Sequence, residues 1–330
     1  TVSVLYCERQ SAMSDDEPVN DALVFLKPHV SETPAVEALV RKKLQARGIR
    51  IHGEGIVDGA AINRDGLIDR HYAAIARYAV STDPATATIP ESGLRVFEER
   101  FGVPWAAAVV EGRVLNAAAA AARFDVPLAA VSAAWDAVDE RAAKLMPGFA
   151  VKRISLKDDG SSCFVVNGFY VANRSLYVAP GAKVRWWTVS WREGDLSWRS
   201  FRADVIGATD PRVAAAGSIR RAILDDWEGL GLAKAPDMAQ NGVHASAGPL
   251  EGVAERRIWA NARADAPADD PVVTRWTEGE SAVLTKAALE KALGNPTIDG
   301  IPLFDLLEDL QTSDAKDKLR QLASQLVSPS

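Results

Sequence analysis

The hydrophobic pattern begins with ALVFL at 22–26, an apolar run with no polar break that reads as a buried strand. Lys27-Pro28 ends it. Thr33 then offers a helix N-cap with Pro34 in the first turn. Val36, Leu39, Val40 and Leu44 follow at helical spacing, and Gly48 stands where a C-cap glycine belongs. Ile49, Ile51 and Gly55-Ile56-Val57 predict a second strand, so the chain opens strand–helix–strand. Leu67, Ile68, Tyr72, Ile75 and Tyr78 predict a helix over 64–79. After the loop STDPATATIPE (81–91), helices are predicted over 91–101, 104–123 and 127–145, the last two parted by Asp125-Val126-Pro127. FVVNGFYVA (164–172) and SLYVAPG (175–181) read as a β-hairpin joined by Asn173-Arg174. VRWWTVSW (184–191) is β-branched and aromatic, a strand closed by Glu193-Gly194. A helix-like segment at 197–206 precedes the loop GATDP (207–211). Further helices are predicted at 219–229, 251–262, 285–294, 302–310 and 314–326.

Composition narrows the class. The chain has 330 residues, 48% hydrophobic and 25% charged, which suits a globular protein of one large domain or two modest ones. A net charge of −6 argues against broad nucleic-acid or membrane-surface binding, yet leaves room for a local Arg/Lys cluster around an anion. Two cysteines, Cys7 and Cys163, make neither a disulfide framework nor a zinc pattern and fit a reducing cytoplasm. No stretch approaches the roughly 18 apolar residues of a spanning helix, and there is no secretory signal. Residues 1–20 read as a disordered lead, with Met13 a candidate start. Trp186, Trp187, Trp191 and Trp198 are expected as core and sheet-face residues. There is no internal repeat, and no P-loop, GxGxxG, HExxH or GxSxG signature.

The candidate chemistry lies in four short stretches: FLKP (25–28), HY (71–72), GATDPRVAAAGSIR (207–220) and NGVHAS (241–246). His244 sits among Gly242, Ala245 and Ala247, small company that gives a bulky anionic reactant access. A neutral imidazole is a good nucleophile near neutral pH, and covalent catalysis splits a transfer between two bulky anions into two easier steps. Lys27 and Arg220 supply fixed positive charge, Arg220 with bidentate geometry. Tyr72 and Thr209 can hydrogen-bond phosphate oxygens.

In this order the four stretches resemble the nucleoside diphosphate kinase family, over roughly 21–80 and 176–285. That resemblance implies a ferredoxin-like α+β core, a four-stranded antiparallel sheet with helices on one face. It also implies a phosphotransferase in which His244 takes the γ-phosphate of a nucleoside triphosphate and passes it to a nucleoside diphosphate. Lys27 and Asn241 would hold the ribose 3′-hydroxyl, and Ser246 would lie beside the histidine. Mg²⁺ would enter bound to the nucleotide phosphates, with no protein metal cage. A glutamate would orient the histidine. Glu251 and Glu255 both qualify, with Glu255 preferred.

The departures are as informative. The family's K-P-D-G turn reads Lys27-Pro28-His29-Val30 here. Arg202, the candidate second phosphate arginine, sits one residue too early unless a bulge intervenes. The stretch between Arg220 and Asn241 is longer than the family's, and no aromatic stands clearly in the base-stacking position. His71 is expected to be structural, and His29 and His52 to be satisfied locally. Residues 81–175 form an insertion, expected to be mostly helical with a β-hairpin and to rebuild the acceptor pocket; 286–330 form a helical C-terminal extension. Two other readings remain. One keeps the phosphohistidine chemistry with a specialised nucleotide or metabolite acceptor. The other is a non-catalytic nucleotide-binding or scaffold module on the same fold. Nucleotides are the expected partners, with no nucleic acid or membrane, and a dimer or monomer is favoured over a hexamer.

Overall fold

The computed structural model describes residues 18–260, 271–277 and 283–327. Cys7, Met13 and nearly all of the predicted lead lie outside the described residues, as do 261–262 of the helix predicted over 251–262. Strands of three or more residues are β1 (Val19–Leu26), β2 (Arg50–Asp58), β3 (Val114–Asn116), β4 (Ala143–Met146), β5 (Phe149–Ile154), β6 (Cys163–Val166), β7 (Lys183–Arg192) and β8 (Val243–Ala245). They form two four-stranded sheets, ordered β2-β7-β1-β8 and β3-β6-β5-β4.

The first sheet is antiparallel throughout. Its central strand β1 is buried along almost its whole length, as the unbroken ALVFL run requires. Helices cover both of its faces, whereas the expectation was one. On one face Val24, Leu26, Trp187, Val189 and Trp191 meet Val36, Val40 and Leu44 of the helix Pro34–Gln45, and also Trp198 and Phe201. On the other, Leu23, Phe25 and Trp186 meet Ile62, Leu67, Tyr177 and Trp259. Those partners come from the helices Gly59–Arg64, Leu67–His71, Phe169–Val178 and Pro249–Trp259. The Arg174 guanidinium grips Asp69 with Nε and a second nitrogen, each at 2.9 Å, and so ties two of these helices together. The four tryptophans expected in the core are at most 2% exposed.

The segment between the two halves of the first sheet sets a four-stranded sheet among its helices, where a lone hairpin was expected. The predicted helix over 104–123 breaks into Trp105–Val110, β3 and Ala117–Phe124. The predicted helix over 127–145 ends at Ala137, and β4 follows. β3 pairs in parallel with β6, and β4 and β5 form the hairpin of this region. The hairpin expected over 164–181 is instead β6 followed by the helix Phe169–Val178. Asn167 makes that transition: it takes φ +50°, and its side-chain nitrogen donates to the carbonyls of Ile75 and Gly148. Cys163 is buried there, its thiol pushed up to about 11 by desolvation.

The last helices, Lys286–Leu293, Leu303–Leu307 and Thr312–Val327, close over Leu250 and Val253 in a separate core. The end of this unit is fastened to the start of β1, where Asn20 Nδ2 donates to Gln311 Oε1 and Asn20 Oδ1 accepts from Thr312 N–H, both at 3.0 Å. Among the described residues no single helix is long and apolar enough to cross a membrane.

Candidate active site

β8 pairs with β1 in the register Leu26↔Val243, Phe25↔His244, Val24↔Ala245. Because side chains alternate across a strand, Val243 enters the first core while His244 turns to the opposite face. There its ring stacks on Phe25, centroids 4.6 Å apart and planes 23° apart. The peptide before β8 is held from both sides. Lys27 N–H donates to Gly242 O at 2.9 Å, and Gly242 N–H donates to His29 Nε2 at 3.2 Å. Gly242 has φ +87°, a backbone conformation that favours glycine.

His244 Nε2 lies 2.8 Å from Glu255 Oε1. A carboxylate only accepts, so Nε2 carries the hydrogen and Nδ1 keeps its lone pair. The His244 side chain is 15% exposed. The other carboxylate oxygen, Glu255 Oε2, accepts from Ser246 Oγ at 2.6 Å, and Ser246 Oγ accepts from Leu23 N–H at 2.9 Å. Burial alone would raise the pKa of Glu255. The facing His244 and His71, with the hydrogen bonds from His244 and Ser246, bring it well below the ordinary carboxylate range. One helical turn earlier, burial and then the Glu255 charge hold Glu251 far above its ordinary value. Of the two candidate glutamates, then, Glu255 meets His244 as an anion, while burial and the Glu255 charge shift Glu251 the opposite way.

His71, expected to be structural, lies against this group. Its ring centroid is 4.5 Å from that of His244, and its Nδ1 is 3.4 Å from Glu255 Oε1. Trp259 Nε1–H donates to the same Nδ1 at 3.3 Å. An indole can only donate, so His71 is neutral with its hydrogen on Nε2. Burial agrees, pushing its pKa down to about 3. His71, His244 and Glu255 also bring three potential metal-ligand atoms within 4.8 Å of one another. They are poorly disposed for an ion. Ligands at about 2.0–2.1 Å around a tetrahedral zinc would stand about 3.3 Å apart, whereas His244 and Glu255 are at hydrogen-bond distance and Trp259 occupies the His71 lone pair.

The cationic groups differ in their freedom. Lys27 Nζ donates to Ala239 O at 3.0 Å, and burial, then the Arg220 charge, bring its pKa down to about 8. Arg220 donates to Gly207 O at 2.8 Å and to Val243 O at 2.9 Å, so it braces the loop before β8. Burial lowers it to about 10, which still leaves it charged at neutral pH. Asn241 Nδ2 donates to Thr209 O at 3.0 Å, joining the GATDP loop to β8, while Asn241 Oδ1 is buried with no hydrogen-bond partner among the described residues. The exposed Thr209 enters this contact through its carbonyl. Tyr72 packs edge-on against His71 at 4.5 Å, and burial, then Glu255, raise its phenol to about 12, so it is a neutral donor. Arg202 is held elsewhere: its guanidinium pairs with Glu308 at 2.6 Å and Asp309 at 2.7 Å in the C-terminal unit. The predicted phosphate arginine is thus engaged by two carboxylates that the sequence reading did not connect to it.

Beside Lys27 a cavity of about 320 Å³ opens between the turn after β1, the helix Phe169–Val178 with the loop that follows it, and the segment before Asn241. His29, Asn173, Leu176 and Gln240 are among its walls; His244 is not. His29, expected to be satisfied locally, accepts from Gly242 N–H and also lines this cavity. Asn173 and Gln240 were not singled out as site residues in the sequence, which carries no catalytic or binding motif at either position.

No protein-family model matches the chain, and no curated protein matches it. Among solved structures it is similar to nucleoside diphosphate kinases. The apo enzyme of Encephalitozoon cuniculi in its cubic form is 11% identical, with a TM-score of 0.34 over 76% of this chain and 94% of that one. The NDP kinase of Pyrobaculum aerophilum is 16% identical, with a TM-score of 0.35 over 73% of this chain and 96% of that one. The Borrelia burgdorferi enzyme, a transition-state mimic with vanadate and ADP, is 15% identical, with a TM-score of 0.32 over 76% and 94%. Likeness at this level carries no functional argument, which rests on the residues of the site.

Proposed function

We propose that this protein is a phosphotransferase that moves the γ-phosphate of a nucleoside triphosphate through a phosphohistidine at His244 to a nucleoside diphosphate. The observation that carries the reading is the His244–Glu255 pair. With Nε2–H fixed on a buried carboxylate at 2.8 Å, the lone pair left for attack is on Nδ1. In the first step Nδ1 attacks the γ-phosphorus. The N–P bond forms, the bond to the bridging oxygen breaks, and the nucleoside diphosphate leaves with that electron pair. The ring turns cationic, and its Nε2–H stays on Glu255, whose charge compensates it. In the second step a terminal oxygen of the acceptor diphosphate attacks the phosphorus, and the N–P electrons return to Nδ1.

Catalysis of this kind is mainly positioning and charge stabilisation. Lys27 is the cation nearest the cavity, Tyr72 a neutral donor, and Arg220 a fixed charge beneath the loop. Asn241 Oδ1, a buried acceptor with no partner among the described residues, suits a substrate hydroxyl. The metal would arrive with the substrate as MgATP, since Glu255 is committed to His244. A specialised acceptor is the second reading, favoured by the cavity walls described next.

The test is incubation with Mg²⁺ and γ-labelled ATP, followed by assay for an acid-labile, alkali-stable phosphoprotein. Label on the wild type and none on His244→Ala is expected. An unlabelled wild type would sink the proposal and leave the binding-module reading.

A further inference from the structure

The cavity beside Lys27 carries groups that phosphoryl transfer itself does not need. Two carboxamides, Asn173 and Gln240, stand on its wall, and neither side chain hydrogen-bonds another described residue. His29 adds a fixed donor: its Nε2 accepts from Gly242 N–H, and burial, then Lys27, bring its pKa down to about 4, so a neutral ring carries its hydrogen on Nδ1. Pro28, Leu176 and Pro180 give apolar surface between these polar groups. Tyr177, the phenol on the wall, is only 1% exposed, so no Phe, Tyr or Trp ring offers a face for stacking. The volume lies at the small end of the range for ligand sites, about 300–1,000 Å³, enough for a base and its sugar.

We propose that this cavity takes the base of the acceptor nucleotide, and that Asn173 and Gln240 determine specificity by hydrogen-bonding the base edge. The inference rests on the phosphotransfer reading for the identity of the ligand. Each amide offers a donor next to an acceptor, the complement of a base edge, while Lys27 lies on the same wall as a partner for phosphate. Stacking tolerates every base because each has a π-face. A site that hydrogen-bonds its ligand rejects an analogue lacking those groups, because its own buried polar atoms then go unpaired. The two amides come from the places where the sequence departs from the family it resembles. Asn173 lies on the helix that ends the insertion, and Gln240 lies in the lengthened stretch before Asn241. Two separate departures therefore meet in one cavity.

Calorimetry of Mg²⁺-bound ADP, GDP, CDP and UDP on the full chain carrying His244→Ala measures recognition without turnover. One nucleotide should bind at least about tenfold more tightly than the poorest. Asn173→Leu and Gln240→Leu should each bring it to within about threefold of the others. The isosteric Asn173→Asp and Gln240→Glu, which exchange donors for acceptors, should reorder the four while keeping the fold. Equal binding of all four, no binding, or a ranking unmoved by every variant would overturn the proposal. Discharge of labelled wild-type phosphoenzyme by the same four nucleotides separates the two ideas. Equal discharge to all four overturns base selection and leaves phosphotransfer standing. Selective binding by a protein that never takes up label overturns phosphotransfer and leaves the selective cavity.

Discussion

Behind His244 both oxygens of Glu255 are taken, by the imidazole and by Ser246, and Ser246 is itself tied to the backbone of β1. The cavity beside Lys27, the front of the proposed site, is walled by two carboxamides whose side chains have no partner among the described residues and by a lysine that leans on one carbonyl. The rear is assembled without any substrate; the front has hydrogen bonds still to make. A preorganised rear would fix the proposed nucleophile at no cost during reaction, and an unsatisfied front makes affinity depend on what enters.

The sharpest way to break this contrast is at the two glutamates. Glu255→Gln removes the charge that compensates the imidazolium and should lower the phosphoenzyme formation rate by about a hundredfold or more in single-turnover labelling. Glu251, whose pKa burial and the Glu255 charge raise, has no hydrogen bond to His244 among the described residues, and Glu251→Gln should change the same rate by less than about threefold. Equal losses would mean that the charge assignment is wrong.

Stability gives the next effect. Ser246→Ala strips a donor from Glu255 and leaves Leu23 N–H unpaired, at a cost of about 1–3 kcal/mol in chemical denaturation. The lowered pKa of Glu255 sets a direction in pH as well. Its contribution is fully present above the ordinary carboxylate range and is lost as pH falls through that range toward its lower folded value, so stability should drop on acidification. Glu255→Gln should flatten that acid limb.

At the front, Lys27 is charged below about pH 8 and neutral above it. Affinity for MgATP should therefore weaken as pH rises through that value. Lys27→Arg, whose guanidinium stays protonated, should remove the alkaline limb in equilibrium binding. The smallest effect belongs to Arg202. Its partners are roughly a third exposed, so Glu308→Gln with Asp309→Asn should cost no more than about 1 kcal/mol by thermal unfolding. If the released guanidinium then reaches phosphate, MgATP affinity should rise several-fold; an unchanged affinity would leave Arg202 a brace for the C-terminal unit.

Much of the first sheet was legible in the sequence, because ALVFL and VRWWTVSW announce buried strands through local composition alone. The second sheet was not. Val114–Asn116 is three residues long and acquires its identity from parallel pairing with β6, a contact between positions about fifty apart. FYVANRSLYV carries the β-branched and aromatic residues of a strand yet folds as a helix, burying Tyr170 and Tyr177 seven residues apart on one face. In the site, motif spacing brought forward His244, Lys27, Arg220 and Asn241. Spacing could not reveal that Arg202 is captured from more than a hundred residues downstream. Nor could it show that the His71 ring lies against His244.

The helix Pro249–Trp259 presents Glu255 to His244 on one side, and with Leu250 and Val253 it seats the C-terminal core on the other. That core draws on residues as late as Leu326, and the final helix is clipped to Asn20 at the start of the first strand. The carboxylate that meets His244 thus sits on a helix whose far side is covered by residues up to about eighty positions downstream. During synthesis the imidazole at 244 would leave the ribosome well before the surface that steadies its carboxylate, and the chemistry proposed for it would wait for that surface to dock.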